Sequence, residues 1–421
     1  MRTTPWYRTM DYVTPLLWLA LVAIGLTAIY STTHGPASEF LLETVRQNFS
    51  RQLTWAGICV VGIVVALLLP VRFYQTGAFV IYAGSLLLLV MALLFGREIN
   101  GAKSWLTLGP MNLQVSELAK VGTVLAVAQL LASKRPGADN IRYAVMAVVL
   151  IVIPGVLIVL QNDTGTALVF FGLIPIMLFW SGLPLSTVLL VVSPALAGYI
   201  AIWSKLAGAL FAVAFTLGMY LTTRERHLTI FAGLFTAAPV AALSLLLTRV
   251  LKPYQVARIR SFTNPEAEEF RQGVGFHLVQ SKAAIGSGGL TGKGFMQGTQ
   301  TRGGFVPEQS TDFIFSVIGE EFGFLGTALV LLLFAFLLIR LVRLGVQMKH
   351  PFGTLVAVGA AGIYLIHIFI NIGMVTGLLP VIGIPLPFLS YGGSALLANT
   401  GMLAIVLSLY MRRDDFSIYG Y

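Results

Sequence analysis

Residues 12–30 read YVTPLLWLALVAIGLTAIY, an apolar run that follows Arg2 and Arg8. A cleaved leader has an apolar core of roughly 7–15 residues. This run is longer, and further runs of about 20 apolar residues, the length that crosses a bilayer, succeed it along the chain. It therefore reads as an uncleaved first membrane helix. Working outward, spans are expected near 12–30, 53–71, 77–95, 116–133, 142–160, 166–182, 184–203, 207–222, 228–250, 313–341, 353–376 and 394–411. The part 184–250 admits one, two or three of them.

Composition agrees. Of 421 residues, 57% are hydrophobic and 10% charged, against about 25% charged in soluble domains. Only helices and closed barrels satisfy their backbone in lipid, and these runs are continuous rather than alternating. The expected fold is an all-α polytopic integral membrane protein with 10–12 transmembrane helices. Its expected parts are the N-terminal helices (1–251), one large extracytoplasmic loop (252–312), and C-terminal helices with a Pro/Gly-rich re-entrant segment (313–421).

Charge sets the expected orientation. Arg2, Arg8, Arg72, Lys134, Arg135, Arg142, Arg224, Arg226, Arg340, Arg343, Lys349, Arg412 and Arg413 fall on one side of these spans, which should be cytoplasmic. Both termini then lie inside, provided that 184–250 holds an odd number of helices. The formal charge of +10 signifies membrane anchoring among lipids, and no basic run interleaved with aromatics suggests a nucleic acid partner. Cys59 is the only cysteine, which excludes an intrachain disulfide and a thiolate cluster. It reads as a small buried hydrophobe.

The polar stretch 252–321 breaks the pattern, and chemistry is expected there first. Between 252 and 302 it holds seven Lys/Arg against Glu266, Glu268 and Glu269. Long loops tolerate such charge, but Arg258, Arg260, Lys282 and Lys293 stand close to glycine or polar motifs, which favours an anion site on the outer face. The run from Gly286 to Lys293 and Gly294 is not a Walker A loop, because Ser287 stands where its first glycine belongs and Gly294 follows the lysine. A turn whose amides approach an anion and a plain tight turn fit it equally.

Ser310, Thr311 and Asp312 open a long apolar helix, and all are good cap types. Asp312 reads either as a cap or as a carboxylate base at the outer rim. A helix N-terminus would lower its pKa and burial would raise it, and the sequence does not choose. Glu117 and Lys120 share a helix face inside a span, either as a structural ion pair or facing a cavity. Asp163 reads as a cap of the sixth helix, or as a holder of a metal or polar head group. One of Glu320 and Glu321 should face the bundle interior. His367 and Asn371, four apart, suggest inter-helix hydrogen bonds more than a metal pair. Finally, Pro380, Pro385 and Pro387 between Gly377 and Ser394 forbid a straight helix, so a kinked or re-entrant segment is expected near the polar loop.

Together, residues 101–108, 114–120, 161–167, 255–321 and 371–394 resemble the SEDS family (shape, elongation, division and sporulation) from the first span to the last. Gly298-Thr299-Gln300 is more similar to the RodA, elongation-type branch than to the FtsW, division-type branch. The resemblance implies a peptidoglycan glycosyltransferase using lipid II, normally with ten spans, so an extra helical pair is expected within 184–250. It implies an essential Asp312, the intramembrane pair Glu117 and Lys120, the loop arginine Arg258, and the pair Gln280 and Ser281. A class B penicillin-binding protein (transpeptidase) is the implied partner. Val115 and Asn162 stand where the family usually has proline, Lys103 replaces an arginine, and Ser310 replaces a histidine.

On that footing the expected reaction is inverting, with undecaprenyl diphosphate leaving. Asp312 is the candidate base, and Lys120, Arg258, Lys103 and Lys293, in that order, are candidates to neutralise the diphosphate. A divalent cation, held by Asp163 or Glu117, could share the task, although no ligand spacing demands one. A flippase for lipid-linked sugars would also explain the charged span, but no second copy of any motif is evident. A scaffold that only activates its partner is the third reading.

Overall fold

We describe a computed structural model over residues 9–35, 43–99, 101–108, 111–134, 141–265, 267–270 and 273–413. Arg2, Arg8, Arg135 and Glu266 lie outside the described residues. The chain is a polytopic helical membrane protein. Among the described residues, eleven helices are long and apolar enough to cross a membrane, and the apolar Thr164–Trp180 is slightly shorter. In order they are α1 (Val13–His34), α2 (Asn48–Leu68), α3 (Val71–Phe95), α4 (Val115–Ser133), α5 (Ile141–Leu160), α6 (Thr164–Trp180), α7 (Leu185–Trp203), α8 (Lys205–Thr223) and α9 (Arg226–Leu245). Two shorter helices then build the polar stretch, α10 (Pro253–Thr263) and α11 (Val274–Ser287), before α12 (Ile314–Gln347), α13 (Pro351–Thr376) and α14 (Gly393–Met411).

The helices are not equivalent. In the most apolar windows of α4 and α13, 78% of residues are buried, against 17% in α2, α8 and α9. The central helices are therefore surrounded by protein. They also carry the intramembrane polar groups, because a charge facing lipid is costly. Residues 184–250 form three helices, and α8 and α9 pack on each other and on α7. Leu190, Met219 and Ala232 form a small core of their own there.

Two features were not legible as elements. One is a three-stranded antiparallel sheet between α3 and α4, made of β1 (Arg97–Ile99), β2 (Ala102–Leu108) and β3 (Met111–Gln114). It delivers Gln114 to the start of α4, as the residue before Val115. Val115 is thus a first-turn position, where proline is favoured but not needed. The other is order within 252–312. Pro253 starts α10, and Gln255 accepts from the Lys252 backbone N–H at 2.9 Å.

The glycine turn follows the second of its two readings, the plain tight turn. Gly289, Gly292 and Gly294 take left-handed φ values of 58°, 80° and 102°. The amides of Gly292, Lys293 and Gly294, however, donate to the carbonyls of Gly288, Glu320 and Glu321 at 2.9–3.0 Å. The first closes the turn on itself and the other two dock it on α12, beside a kink where Gly323 has φ 64°, so they do not form an anion nest. After α13 the chain runs irregularly from Gly377 to Gly392, with Ile384, Leu386, Phe388 and Leu389 buried. Irregular backbone within a membrane is tolerated where it is buried in protein or lines a cavity.

Candidate active site

Asp312 lies just before α12, but it does not cap it. The cap position is Phe313, with no side-chain cap hydrogen bond. The Asp312 carboxylate is half-buried, and no donor among the described residues reaches it. Burial, with Glu308 and Asp163 adding negative charge and Arg258 opposing, pushes its pKa up to about 7. Burial is the largest of these influences and disfavours the charged form. Gly383 of the Pro-rich segment packs on this carboxylate. A Cβ there would lie 3.0 Å from Asp312 Oδ2, and φ is 84°, so glycine fits both the space and the backbone.

The surrounding backbone is held from several sides. Asn371 Nδ2 donates to the Asp312 carbonyl at 2.8 Å and to the Ile384 carbonyl at 2.7 Å. Arg258 Nη1 donates to the Ile382 carbonyl at 3.0 Å. Tyr391 N donates to the Ser310 carbonyl at 2.8 Å, and Asn48 Nδ2 donates to Ser310 Oγ at 3.2 Å. The position where the family has an imidazole thus holds a hydroxyl that ties α2 to the Asp312 turn. Gln52 donates to the Ser390 carbonyl and accepts from Gly392 N.

The other candidate residues divide into two groups. Arg258 and Asp163 stand close enough to act electrostatically on Asp312. Asp163 caps α6, accepting from Thr166 N at 3.1 Å, and accepts from Gln114 Nε2 at 3.0 Å. Neighbouring Asn162 has φ 65°, which proline cannot adopt, so this departure from the family pattern goes with a distinct turn. Lys252 Nζ bonds the Asn162 side chain.

The second group is occupied elsewhere. Lys293 Nζ lies 2.8 Å from Glu320 Oε1 and 2.7 Å from Thr299 Oγ1. Lys103 Nζ donates to the Leu94 carbonyl at 3.2 Å. Ser281 is buried and donates to the Val375 carbonyl at 2.8 Å, with Ser316 Oγ at the same distance, which fastens α11 to α12 and α13. Gln280 precedes it, half-buried on α11.

Glu117 and Lys120 form a buried ion pair at 2.8 Å, and the Lys120 ammonium also meets His367 Nε2 at 2.8 Å. Both Glu320 and Glu321 are buried, where sequence pattern foresaw one.

Sequence reasoning missed Glu308 and His277. Glu308 raises the pKa of Asp312. The His277 ring lies 6.0 Å from that of Phe313, and burial lowers its pKa, with Glu308 and Arg258 acting in opposite senses. A lone histidine on a half-apolar helix carries no signal in the sequence. Among the described residues, no group of three or more His, Cys, Asp or Glu side chains is arranged to hold a metal ion.

Comparison with known proteins agrees with this frame. The FtsW/RodA/SpoVE model, described as "Cell cycle protein", matches residues 11–212 and 196–415. Peptidoglycan glycosyltransferase RodA of Treponema pallidum is 35% identical, over 96% of this chain and 98% of its own. Peptidoglycan glycosyltransferase MrdB of Escherichia coli K12 is 33% identical, over 87% and 86%. A solved chain from a peptidoglycan synthase complex that coordinates polymerization and crosslinking superimposes with a TM-score of 0.71 at 30% identity, covering 96% of this chain and 98% of that one. By motifs, fold and matched length, this chain belongs to the FtsW/RodA/SpoVE family.

Proposed function

We propose that this chain is a peptidoglycan glycosyltransferase that polymerises lipid II at the outer face of the bacterial cytoplasmic membrane. The observation that carries the site assignment is Asp312: a half-buried carboxylate without a hydrogen-bond donor among the described residues, raised to a pKa of about 7, with Arg258 nearby. A base is most effective when its pKa lies near the working pH.

In the proposed step the 4-hydroxyl of an acceptor sugar attacks the anomeric carbon of a second lipid-linked disaccharide. The new C–O bond forms as the bond to the diphosphate breaks. The proton passes to Asp312, and the electron pair leaves with undecaprenyl diphosphate. Attack from the face opposite the leaving group inverts configuration. A base contributes about 10²–10⁴-fold, so positioning and positive charge near the diphosphate supply the remainder. Arg258 is best placed for that, since it acts on Asp312, whereas Lys120 and Lys293 are held in ion pairs and Lys103 bonds the Leu94 carbonyl. A pocket of about 390 Å³ with mixed polar and apolar walls, lined by His34, Glu43, Arg46, Gln47, Phe49 and Ser50, lies beside Asn48, which reaches the Asp312 turn. Its lining suits a sugar.

The stretch 252–312 is assigned to the outer side and both termini to the cytoplasm. The asymmetry of Arg72, Lys134, Arg142, Arg340, Arg343, Arg412 and Arg413 supports this. The superimposable chain belongs to a complex for polymerization and crosslinking, which supports a transpeptidase partner, a class B penicillin-binding protein.

The test is polymerisation of lipid II by the purified chain in detergent, with and without chelator, beside Asp312→Asn. Wild type should yield a glycan ladder and the variant none. A flippase makes no polymer under these conditions, and a scaffold's variants would keep the partner's activity. Normal polymer from Asp312→Asn removes Asp312 as base.

A further inference from the structure

His367 and Asn371 lie one turn apart on α13, with 2% and 0% of their surfaces exposed. Neither has a role in the step above. Asn371 Nδ2 donates both of its hydrogens, one to the Asp312 carbonyl and one to the Ile384 carbonyl. A single amide on a buried helix thus joins the turn that bears the base to the Pro-rich segment.

His367 continues the connection. Its Nε2 faces the Lys120 ammonium at 2.8 Å and its Nδ1 faces the Pro385 carbonyl at 3.1 Å. An ammonium only donates, so Nε2 is the acceptor. The ring proton of the neutral imidazole then sits on Nδ1 and is donated to Pro385. Behind Lys120 stands Glu117 at 2.8 Å. A continuous series therefore runs from Glu117 through Lys120 and His367 to Pro385, and from the adjacent Ile384 through Asn371 to Asp312. Between them, Ile382 to Pro385 forms the wall on which Gly383 meets the Asp312 carboxylate. The charged groups acting on that carboxylate are Glu308, Asp163 and Arg258, and His277 is influenced by Glu308 and Arg258.

We propose that Asn371 and His367 are positioning residues for glycosyl transfer: they hold the 382–385 wall against Asp312, and the Glu117–Lys120 pair anchors that wall instead of binding diphosphate. The inference rests on Asp312 being the base. Loosening the wall would admit water to the carboxylate and disturb the placement of the acceptor.

The experiment uses the full chain in detergent with lipid II, and reads kcat, KM and the pH profile of kcat. Three variants are compared. Asn371→Ala removes the bridge. His367→Gln places an amide near the Nε2 position and loses Pro385. His367→Asn places one near the Nδ1 position and keeps Pro385. Asn371→Ala and His367→Gln should lose about ten- to a hundredfold in kcat, with KM for lipid II unchanged within about twofold. Their acid limb should move about one unit below its wild-type position, while His367→Asn should keep the wild-type limb.

An unmoved limb in both Asn371→Ala and His367→Gln overturns the proposal, as does a loss confined to KM. The two histidine variants give the answer on their own if Asn371→Ala does not fold. A wild type that makes no polymer instead removes the underlying assignment of function, which is a separate result.

Discussion

Asp312 and Glu320 are two carboxylates of the same segment with opposite surroundings. Glu320 accepts from Lys293 Nζ, from the amides of Gln300 and Thr301, and from the hydroxyls of Thr299 and Thr301. Its side chain is fully buried, and it organises the turn at Thr299–Arg302. Asp312 has no donor among the described residues and keeps a partly exposed carboxylate under a glycine. A saturated carboxylate holds structure, because its charge is already stabilised and its lone pairs are filled. An under-bonded one, raised towards neutral pH, is free to take a proton. The comparison teaches that burial alone does not mark the reactive group; the number of donors does.

The strongest test of this contrast is a pair of substitutions. Asp312→Asn should abolish lipid II polymerisation, a loss of at least about 10²-fold, without lowering the thermal midpoint in detergent. Glu320→Ala should behave oppositely. It strands Lys293 and four other donors, so a thermal-shift or denaturation measurement should show destabilisation of about 3 kcal/mol. A stable Glu320→Ala, or an unfolded Asp312→Asn, breaks the comparison.

A finer test uses pH. Asp312 works as a base only when ionised, so polymerisation should rise with pH through about 7 and then level off. Glu308 raises that pKa and Arg258 lowers it. Glu308→Gln should therefore move the acid limb to lower pH, and Arg258→Gln to higher pH, each by no more than about one unit. Shifts of the reverse sign would detach the limb from Asp312. The smallest effect is expected at Lys103, whose ammonium meets only the Leu94 carbonyl among the described residues. Lys103→Ala should change stability by less than about 0.5 kcal/mol and leave the polymerisation rate near wild type. A large loss there would return Lys103 to the substrate site.

Much of the helical frame was legible. The expected spans 12–30 and 353–376 correspond to Val13–His34 and Pro351–Thr376, and three helices occupy 184–250. The sheet at 97–114 was missed because its strands are short and flanked by long apolar runs. The kink at Gly323 was missed because one left-handed glycine inside a helix leaves the apolar pattern unbroken. The Asp312 region could be located, yet its pKa direction could not be read. That direction depends first on burial, then on Glu308 and Asp163 against Arg258, and the burial is made by packing with distant segments such as that of Gly383.

The sequence by itself determined that the chain is a helical membrane protein, since continuous apolar runs have no other way to satisfy their backbone in lipid. It also determined which polar motifs stand at the helix ends. Only the tertiary structure decided which charges are paired, and that the partly buried Asp312 has no donor among the described residues. Hydrogen bonds and burial are made between segments as distant as Lys120 and His367, or Asp312 and Gly383, and neighbours along the chain do not specify them.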